Sequence, residues 1–300
     1  MFTKCGSRFP KFCRSAIFLV TLLLAALFPA GPAPAALPTL PDLPGQTEGA
    51  GLPSLPALPD LPAQQNLPTL PDLPGAVSPD SGAKAAPGVR EWTIIAYVDG
   101  DNNLERYLLA DVKEMEQGCP DAGVDVILLI DRSKGFTKAF GDWTGARVYR
   151  LGKSKADDAL SSELLHDAGE LNMGDPKVLE DFIRETIRKY PSRKTALFMS
   201  DHGSGWINMA NDDDAPGAAG KTDEITLAEF KSVLGKTAPL CPGGAFDLLF
   251  FDMCLMGQAE TVAACAPFAR YMVAAAPTVP GVGMDFTKAL PLFASGKDAA

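Results

Sequence analysis

Phe246-Asp-Leu-Leu-Phe-Phe-Asp-Met-Cys254 is an apolar run of strand length that ends in an acid and a thiol. Three similar apolar runs precede it along the chain, at residues 92–98, 124–130 and 195–200. Continuous apolar runs of this length are typical of parallel strands that are buried on both faces. Because these runs alternate with helix-like stretches, the sequence predicts an α/β fold, a three-layer α/β/α sandwich around a largely parallel sheet.

The helix-like stretches cover residues 104–117, 176–189 and 227–234. Asp175-Pro176 offers a cap followed by proline at the first helical position, and Thr226-Leu-Ala-Glu229 matches a capping box. Two further strands are expected, at residues 147–151 and 271–275. The predicted globular domain covers residues 91–300, about 210 residues, which is long enough to bury a substantial core.

Residues 1–36 have the pattern of a secretory signal peptide. Four cationic residues come first, an apolar run extends from Ser15 to Phe28, and small residues follow up to Ala36. The rival interpretation is an uncleaved anchor, but the apolar run is shorter than the roughly 20 residues that a spanning helix needs. We therefore expect export to the periplasm or the extracellular space, with no stable membrane span after cleavage.

Residues 37–90 are rich in proline and leucine, and the nine residues at 37–45 recur identically at 67–75. Proline at every second or third position removes backbone donors and fixes φ, which favours an extended polyproline II-like chain. The sequence therefore predicts a disordered linker that serves as a tether, propeptide or stalk. The alternatives are that this segment is a recognition ligand, or that its leucines dock on a neighbouring domain.

Charge and composition exclude several classes of function. The formal charge is −10, and loss of the four cations of residues 1–36 leaves −14. An acidic surface repels phosphates, so nucleic-acid binding is not expected. After signal cleavage the cysteines are Cys119, Cys241, Cys254 and Cys265, and the whole chain has only two histidines. A His/Cys zinc site of ordinary spacing is therefore not expected either.

Two reactive side chains follow predicted strands. Cys254 follows the strand quoted above, and His202 comes 52 residues earlier, after the strand at 195–200. In open parallel sheets, reactive groups lie beyond the carboxyl ends of the strands. We expect a helix to begin at Leu255, and its positive end would favour the thiolate of Cys254. The alternative is that Cys254 is a small packed hydrophobe.

Four blocks of the chain, in this order, resemble the clostripain family of cysteine peptidases. They lie at residues 92–103, Ser200-Asp-His-Gly-Ser-Gly-Trp206, Phe251-Asp-Met-Cys-Leu-Met-Gly257 and 273–281. The resemblance implies a caspase-like fold and a catalytic dyad of Cys254 and His202. Both residues lie in turns that face the substrate, so the backbone N–H groups of Gly203 and Cys254 are the expected oxyanion donors. Family members generally continue beyond the last block, which indicates a fragment or a minimal form.

The resemblance also implies cleavage after Arg or Lys in protein or peptide substrates, which needs an acidic floor to the first specificity pocket. Asp252 matches the implied position, and Asp285 is a second candidate. For Asp252 the alternative is a strand-end carboxylate that orders a loop. The chain departs from the family pattern at Ala275-Ala-Pro277 and at Gly283-Met-Asp-Phe286. These departures make the basic specificity a weaker expectation than the dyad.

The loop between the two dyad residues carries two further expectations. The resemblance implies self-processing there after a basic residue, and Lys221 is the first basic residue after His202. Exposed polar loops of this kind are the usual sites of proteolytic nicking. Catalysis by a thiol and an imidazole requires no cofactor. The acidic triplet Asp212 to Asp214 is either a Ca²⁺ site or a solvated loop.

Two other functions are consistent with parts of the sequence. Asp99, Asp131 and Asp252 at strand ends suit a Mg²⁺ cluster of a phosphoryl-transfer enzyme. A catalytically altered peptidase fold that binds a partner is the non-enzymatic alternative. His166, the other histidine, is interpreted as a surface or loop residue.

Overall fold

The computed structural model describes residues 3–4, 89–134, 136–154, 159–218 and 222–294. The predicted signal peptide and linker fall outside these residues, apart from residues 3–4 and 89–90, and so does Lys221. No helix in the described part of the chain is long and apolar enough to cross a membrane.

The strands are β1 (Thr3–Lys4), β2 (Arg90–Gly100), β3 (Val124–Arg132), β4 (Ala146–Arg150), β5 (Glu163–Gly169), β6 (Ser192–Ser200), β7 (Asn208–Asp212), β8 (Asp223–Thr226), β9 (Phe246–Asp252) and β10 (Ala269–Val273). The helices are α1 (Glu105–Gly118), α2 (Pro176–Lys189), α3 (Leu227–Thr237), α4 (Ala259–Cys265), α5 (Phe286–Ala289) and α6 (Pro291–Ala294). A 3₁₀ turn follows α3 at Ala238–Leu240.

Eight strands form one sheet in the order β1-β10-β9-β6-β2-β3-β4-β5. The five strands from β10 to β3 in that order pair in parallel, whereas β1, β4 and β5 pair antiparallel at the two edges. Strands β7 and β8 form a separate antiparallel pair. The prediction of a largely parallel α/β sheet is confirmed.

Alternate residues of β2 face two different cores, which accounts for the three layers. Ile95 and Tyr97 pack with the apolar residues of α2 and α3 on one face of the sheet. Ile94 and Val98 pack with α1 on the other face. Each fully buried side chain of this size contributes about 1.5–3 kcal/mol of transfer free energy. The continuous apolar runs of the sequence thus mark strands that are covered on both sides.

Local signals fix where two of the predicted helices begin. The side chain of Asp175 accepts a hydrogen bond from the N–H of Lys177 at the start of α2. At the start of α3, Thr226 and Glu229 form the complete capping box. A cap of this kind stabilises a helix by about 1 kcal/mol. Both helix starts are as the sequence predicts.

The prediction of a helix that begins at Leu255 is wrong. The next helix, α4, begins only at Ala259, and residues 254–257 form a turn in which Leu255 has a φ of +65°. The N–H groups of Leu255 and Gly257 donate to the carbonyls of Pro277 and Ala275, so this backbone pairs with a distant segment instead of forming a helical turn. The thiol of Cys254 therefore does not lie at a helix N-terminus.

The prediction for His166 needs a smaller correction. This residue is half-buried in the edge strand β5, where it pairs with Val148 of β4, so it does not lie in a loop.

The carboxyl ends of β2 and β6 meet at the point where the connections of the sheet change direction. From β2 the chain passes to β3 on one side, and it later returns to β6 on the other side. Crevices of this kind are the usual ligand sites of open α/β sheets.

Candidate functional site

The register of β6 and β9 brings the two predicted dyad residues together. These strands pair in parallel at a constant offset of 52 residues, from Ala196 opposite Leu248 to Ser200 opposite Asp252. His202 and Cys254 have the same offset, and each lies two residues past the last pair of its strand, in turns that follow neighbouring strand ends. The 52-residue spacing seen in the sequence therefore equals the offset between the paired strands.

Gly203 lets the two turns touch. A Cβ atom added at this position would lie 2.5 Å from the carbonyl oxygen of Cys254 and 3.0 Å from Met253 Cβ. Gly205 has a φ of +67°, and a Cβ atom there would lie 2.5 Å from the side-chain oxygen of Gln258. Both glycines are thus needed for packing against the turn that follows β9.

His202 contacts a residue that the sequence did not single out. Its Nε2 atom lies 2.9 Å from Oδ1 of Asn103, which follows β2. Partial burial lowers the pKa of His202, while Asp213 and Glu224 act in the opposite direction. The imidazole is consequently neutral near pH 7. In the tautomer that donates Nε2–H to Asn103, the Nδ1 atom is free to accept a proton.

Cys254 is a partly exposed free thiol with one backbone donor. The N–H of Val279 points at its sulfur at 3.3 Å. The next residue, Leu255, adopts the left-handed conformation that a branched side chain avoids, which is a strained geometry typical of functional turns. Burial raises the pKa of the other free thiols, to about 11 for Cys119 and about 12 for both Cys241 and Cys265.

The two predicted oxyanion donors are available. The β-bridge beside His202 uses the N–H groups of Ser204 and Ala210, which donate to Asn208 and His202. No hydrogen bond from the N–H of Gly203 or of Cys254 occurs in the described part of the chain.

Exposed apolar side chains flank the dyad on both sides. Trp206 and Ile207 follow the histidine turn and are 60% and 52% exposed. Val282 and Met284, in the segment after Val279, are 71% and 38% exposed. Exposed apolar groups that gather around polar reactive groups are typical of a binding surface.

The two predicted specificity residues lie in different environments. Asp252 ends β9, is half-buried, and accepts a hydrogen bond from the N–H of Met284 at 2.9 Å. Burial raises its pKa. Asp285 instead caps α5 through the N–H of Lys288 and forms an ion pair with the Lys288 side chain. The carboxylate of Asp285 is therefore engaged locally.

A second group of acids lies at the ends of β2, β3 and β7. We call it the acidic cluster, and its members are Asp99, Asp101, Asp131, Glu170, Asp212 and Asp214. One carboxylate oxygen each from Asp101, Asp212 and Asp214 lies within 4.8 Å of the others. The same holds for Asp101, Asp131 and Glu170, so Asp101 is common to both sets.

The acidic cluster has no counter-charge among the described residues. Neither carboxylate oxygen of Asp101 has a hydrogen-bond partner, and neither does Oδ2 of Asp99 or of Asp131, although all three side chains are fully buried. Burial raises the pKa of Asp101 to about 7 and that of Glu170 to about 8, and neighbouring carboxylates add to both effects. Unpaired buried carboxylates are costly, and oxygen-rich sites of this kind suit hard divalent cations.

The grouping of Asp252 with Asp99 and Asp131 is not found. Asp99 and Asp131 are register partners on adjacent strands, whereas Asp252 lies two strands away on β9 and faces α1. The Mg²⁺ cluster proposed from these three strand ends is therefore not formed as the sequence suggested.

The family model described as the clostripain family matches residues 96–300, about two thirds of the chain. The chain belongs to the clostripain family. Clostripain of Hathewaya histolytica is 33% identical over 220 residues, which are 65% of this chain and 41% of that protein. The resemblance drawn from the four blocks is thus confirmed.

Two solved structures from this family share the fold. A secreted C11 cysteine protease from Bacteroides thetaiotaomicron, in complex with an irreversible peptide inhibitor, has a TM-score of 0.56 at 22% identity, over 69% of this chain and 55% of that one. An inactive zymogen C11 protease from Parabacteroides distasonis has a TM-score of 0.52 at 20% identity, over 69% and 54%. The chain therefore spans little more than half the length of these relatives.

Proposed function

We propose that this clostripain-family chain is an exported cysteine endopeptidase, with Cys254 as nucleophile and His202 as general base and acid. The observation that carries the proposal is the register of β6 and β9, two neighbouring parallel strands whose ends lead into the turns of His202 and Cys254. The contact of Gly203 with the Cys254 carbonyl supports it, because only adjacent turns leave no space for a Cβ atom.

In the first half of the reaction, His202 takes the proton of the Cys254 thiol, and the sulfur bonds to the scissile carbonyl carbon. The carbonyl π electrons move to oxygen, where the N–H groups of Gly203 and Cys254 stabilise the negative charge. The carbon–nitrogen bond then breaks, and the leaving amine takes the proton from His202. A thioester on Cys254 remains.

In the second half, His202 removes a proton from water, and the resulting hydroxide attacks the thioester carbon. The carbon–sulfur bond breaks, the peptide acid leaves, and the thiol recovers its proton from His202. A neutral imidazole starts both halves, which agrees with the lowered pKa of His202.

We propose cleavage after Arg or Lys, with Asp252 as the acid that meets the basic side chain. Asp252 supports this role because it lies two residues before the nucleophile and has no ion-pair partner in the described part of the chain. Asp285 is tied to Lys288 and is the weaker candidate.

Mass spectrometry after iodoacetamide treatment, combined with a peptide-hydrolysis assay, tests the dyad. We expect one adduct, on Cys254, because the other described thiols are buried and have raised pKa values. Alkylation and Cys254→Ala should each lower hydrolysis of arginyl and lysyl peptides by about 10⁴-fold or more. Full activity in Cys254→Ala, with the fold intact, would overturn the proposal.

We also propose self-processing after Lys221. Denaturing gels of the wild-type chain should show two fragments, and the newer one should begin at Thr222 by terminal sequencing. The Cys254→Ala chain should stay intact under the same conditions. Identical intact bands for both chains would rule out this step.

The acidic cluster is proposed to hold one Ca²⁺ ion, which supplies structural charge compensation and takes no part in the reaction at Cys254. The fit rests on the orphaned oxygens of Asp99, Asp101 and Asp131. Of the predicted triplet, Asp212 and Asp214 join the cluster, whereas the Asp213 side chain accepts from Asn211.

A further inference from the structure

Helix α1 brings an acid close to Asp252. Gly283 shows this best: a Cβ atom there would lie 2.4 Å from Oδ2 of Asp252 and 3.2 Å from Oδ2 of Asp111. Two carboxylates from different elements therefore face one point, and the glycine beside them has a φ of +55°. We call Asp111 and Asp252 the acid pair.

Residues 281–286 run along helix α1 and contact it at three places. Gly281 lies over the ring of Tyr107, Gly283 lies over Asp111, and the N–H of Phe286 donates to Glu114 at 3.0 Å. Because Tyr107, Asp111 and Glu114 are spaced at i, i+4 and i+7, they form one face of the helix. Residues 281–286 therefore pack along this face of α1.

The acid pair lacks a cation within the described residues. Asp111 is 4% exposed, and its carboxylate has neither an ion pair nor a hydrogen bond in the described part of the chain. Lys288, the base on the neighbouring α5, is taken by Asp285. A buried carboxylate without a partner is costly, so it is either protonated or paired with a cation that arrives from outside.

The surroundings of the acid pair favour its protonated form. Burial raises the pKa of Asp111 to about 8, and the charges of Asp252 and Glu114 add to this effect. Asp252 is raised as well, by burial and by Glu114. Near pH 7 the empty pair thus holds a proton that a bound cation would replace.

We propose that Asp111 is a second, deeper specificity determinant, and that it holds the side-chain cation of the substrate's basic residue together with Asp252. This inference rests on the proposed peptidase function. It adds a specificity residue and the release of a proton when the substrate binds. On binding, an ammonium or guanidinium group meets two carboxylates, and the proton that they shared leaves to solvent. Basic side chains consequently bind more weakly as the pH falls below about 8.

Steady-state kinetics of Asp111→Asn tests the proposal, since this variant keeps the shape and mimics the protonated acid. With arginyl and lysyl peptides at pH 8, KM should rise about 10- to 100-fold while kcat changes less than about threefold. The wild-type KM should fall as the pH rises from about 6 to 8, and this dependence should disappear in the variant. Asp121→Asn, at an exposed acid beyond α1, is the matched control and should match the wild type.

A second measurement does not depend on the folding of a variant. Titration of the wild-type chain with benzamidine, in two buffers of different ionisation enthalpy at pH 7, should show release of up to about one proton per ligand. Binding without proton release would overturn the inference, as would an unchanged KM in a folded Asp111→Asn chain.

The two failures can be told apart. If the wild-type chain cleaves basic peptides and Asp111→Asn behaves like it, only the role of Asp111 is wrong. If the wild-type chain cleaves no such peptide although Cys254 is alkylated, the proposed function fails and this inference fails with it.

Discussion

Two groups of carboxylates lie at the same edge of the sheet, and no basic partner for either occurs in the described ranges. The acidic cluster has six members, of which Asp99, Asp101 and Asp131 are fully buried with orphaned oxygens. The acid pair has two members, and Asp252 already accepts a backbone N–H. Only the acid pair borders the nucleophile.

The difference indicates which cation each group is built for. The acidic cluster contains two overlapping sets of three carboxylates that share Asp101, and carboxylate oxygens are the ligands that Ca²⁺ takes. Two carboxylates beside an open reactive turn suit a cation that enters and leaves with each substrate. Under the two proposals, excess negative charge therefore serves the stability of the fold in one place and substrate recognition in the other.

The largest expected effect is the loss of Ca²⁺ from the acidic cluster. At a concentration 1,000 times its dissociation constant, a bound ion stabilises a fold by about 4 kcal/mol. For a domain of this size that corresponds to roughly 8–16 °C in Tm. Calorimetry should show a shift of this order between Ca²⁺ and a chelator for the wild-type chain, and almost none for Asp101→Asn.

Asp213→Asn is the matched control, because Asp213 lies in the same loop but outside the acidic cluster. It should keep the full Ca²⁺ response. Equal Tm values with Ca²⁺ and with chelator in the wild-type chain would contradict the proposed site.

The carboxylates of the acidic cluster should also make the stability of the fold depend on pH. The folded-state pKa values of Asp101, Asp212 and Glu170 are raised by burial to about 7, 6 and 8, above their ordinary values near 4. Such groups favour the folded state at low pH, and this contribution is lost as the pH rises from about 4 to 8. With chelator, Tm should fall across this window, and Ca²⁺ should flatten the fall.

A smaller effect is expected at Asn103, which lies between the acidic cluster and the dyad. Removing its hydrogen bond in Asn103→Ala should cost about 1 kcal/mol, or roughly five- to tenfold in kcat, with little change in KM. The acidic limb of the pH–rate profile, which reports His202, should shift as well. Asn103→Asp retains an acceptor for Nε2–H and should recover much of the rate, whereas a purely structural role for Asn103 would leave the pH profile unmoved.

Much of the fold was predictable because its signals are local. The apolar runs of β2, β3, β6 and β9 are continuous, and the caps of α2 and α3 lie within four residues of the helices that they start. The turn after Cys254 was not predictable. The N–H groups of Leu255 and Gly257 bond to carbonyls about 20 residues later, and no local pattern encodes that pairing.

The residues of the candidate site also differ in how far the sequence indicated them. Strand ends and the four blocks made Cys254 and His202 candidates, and the acidic run did the same for Asp212 and Asp214. Asn103 lies at the end of the first block, but nothing in the sequence indicated that it meets His202, and Asp111 carried no signal at all, because each meets its partner across 99 residues or more of chain. The bond of Asn103 to His202 and the convergence of Asp111 with Asp252 arise only when β2, α1, β6 and β9 are assembled.

The constant offset between β6 and β9 also bears on how this chain can change length in evolution. One residue inserted within either strand would move its end by about 3.3 Å and turn its side chains to the opposite face, which would part His202 from Cys254. An insertion between β7 and β8 would lengthen the chain between the two strands but would leave their register intact. Length differences among homologues should therefore collect in the segment around residues 213–222, while the two strands stay free of insertions and deletions.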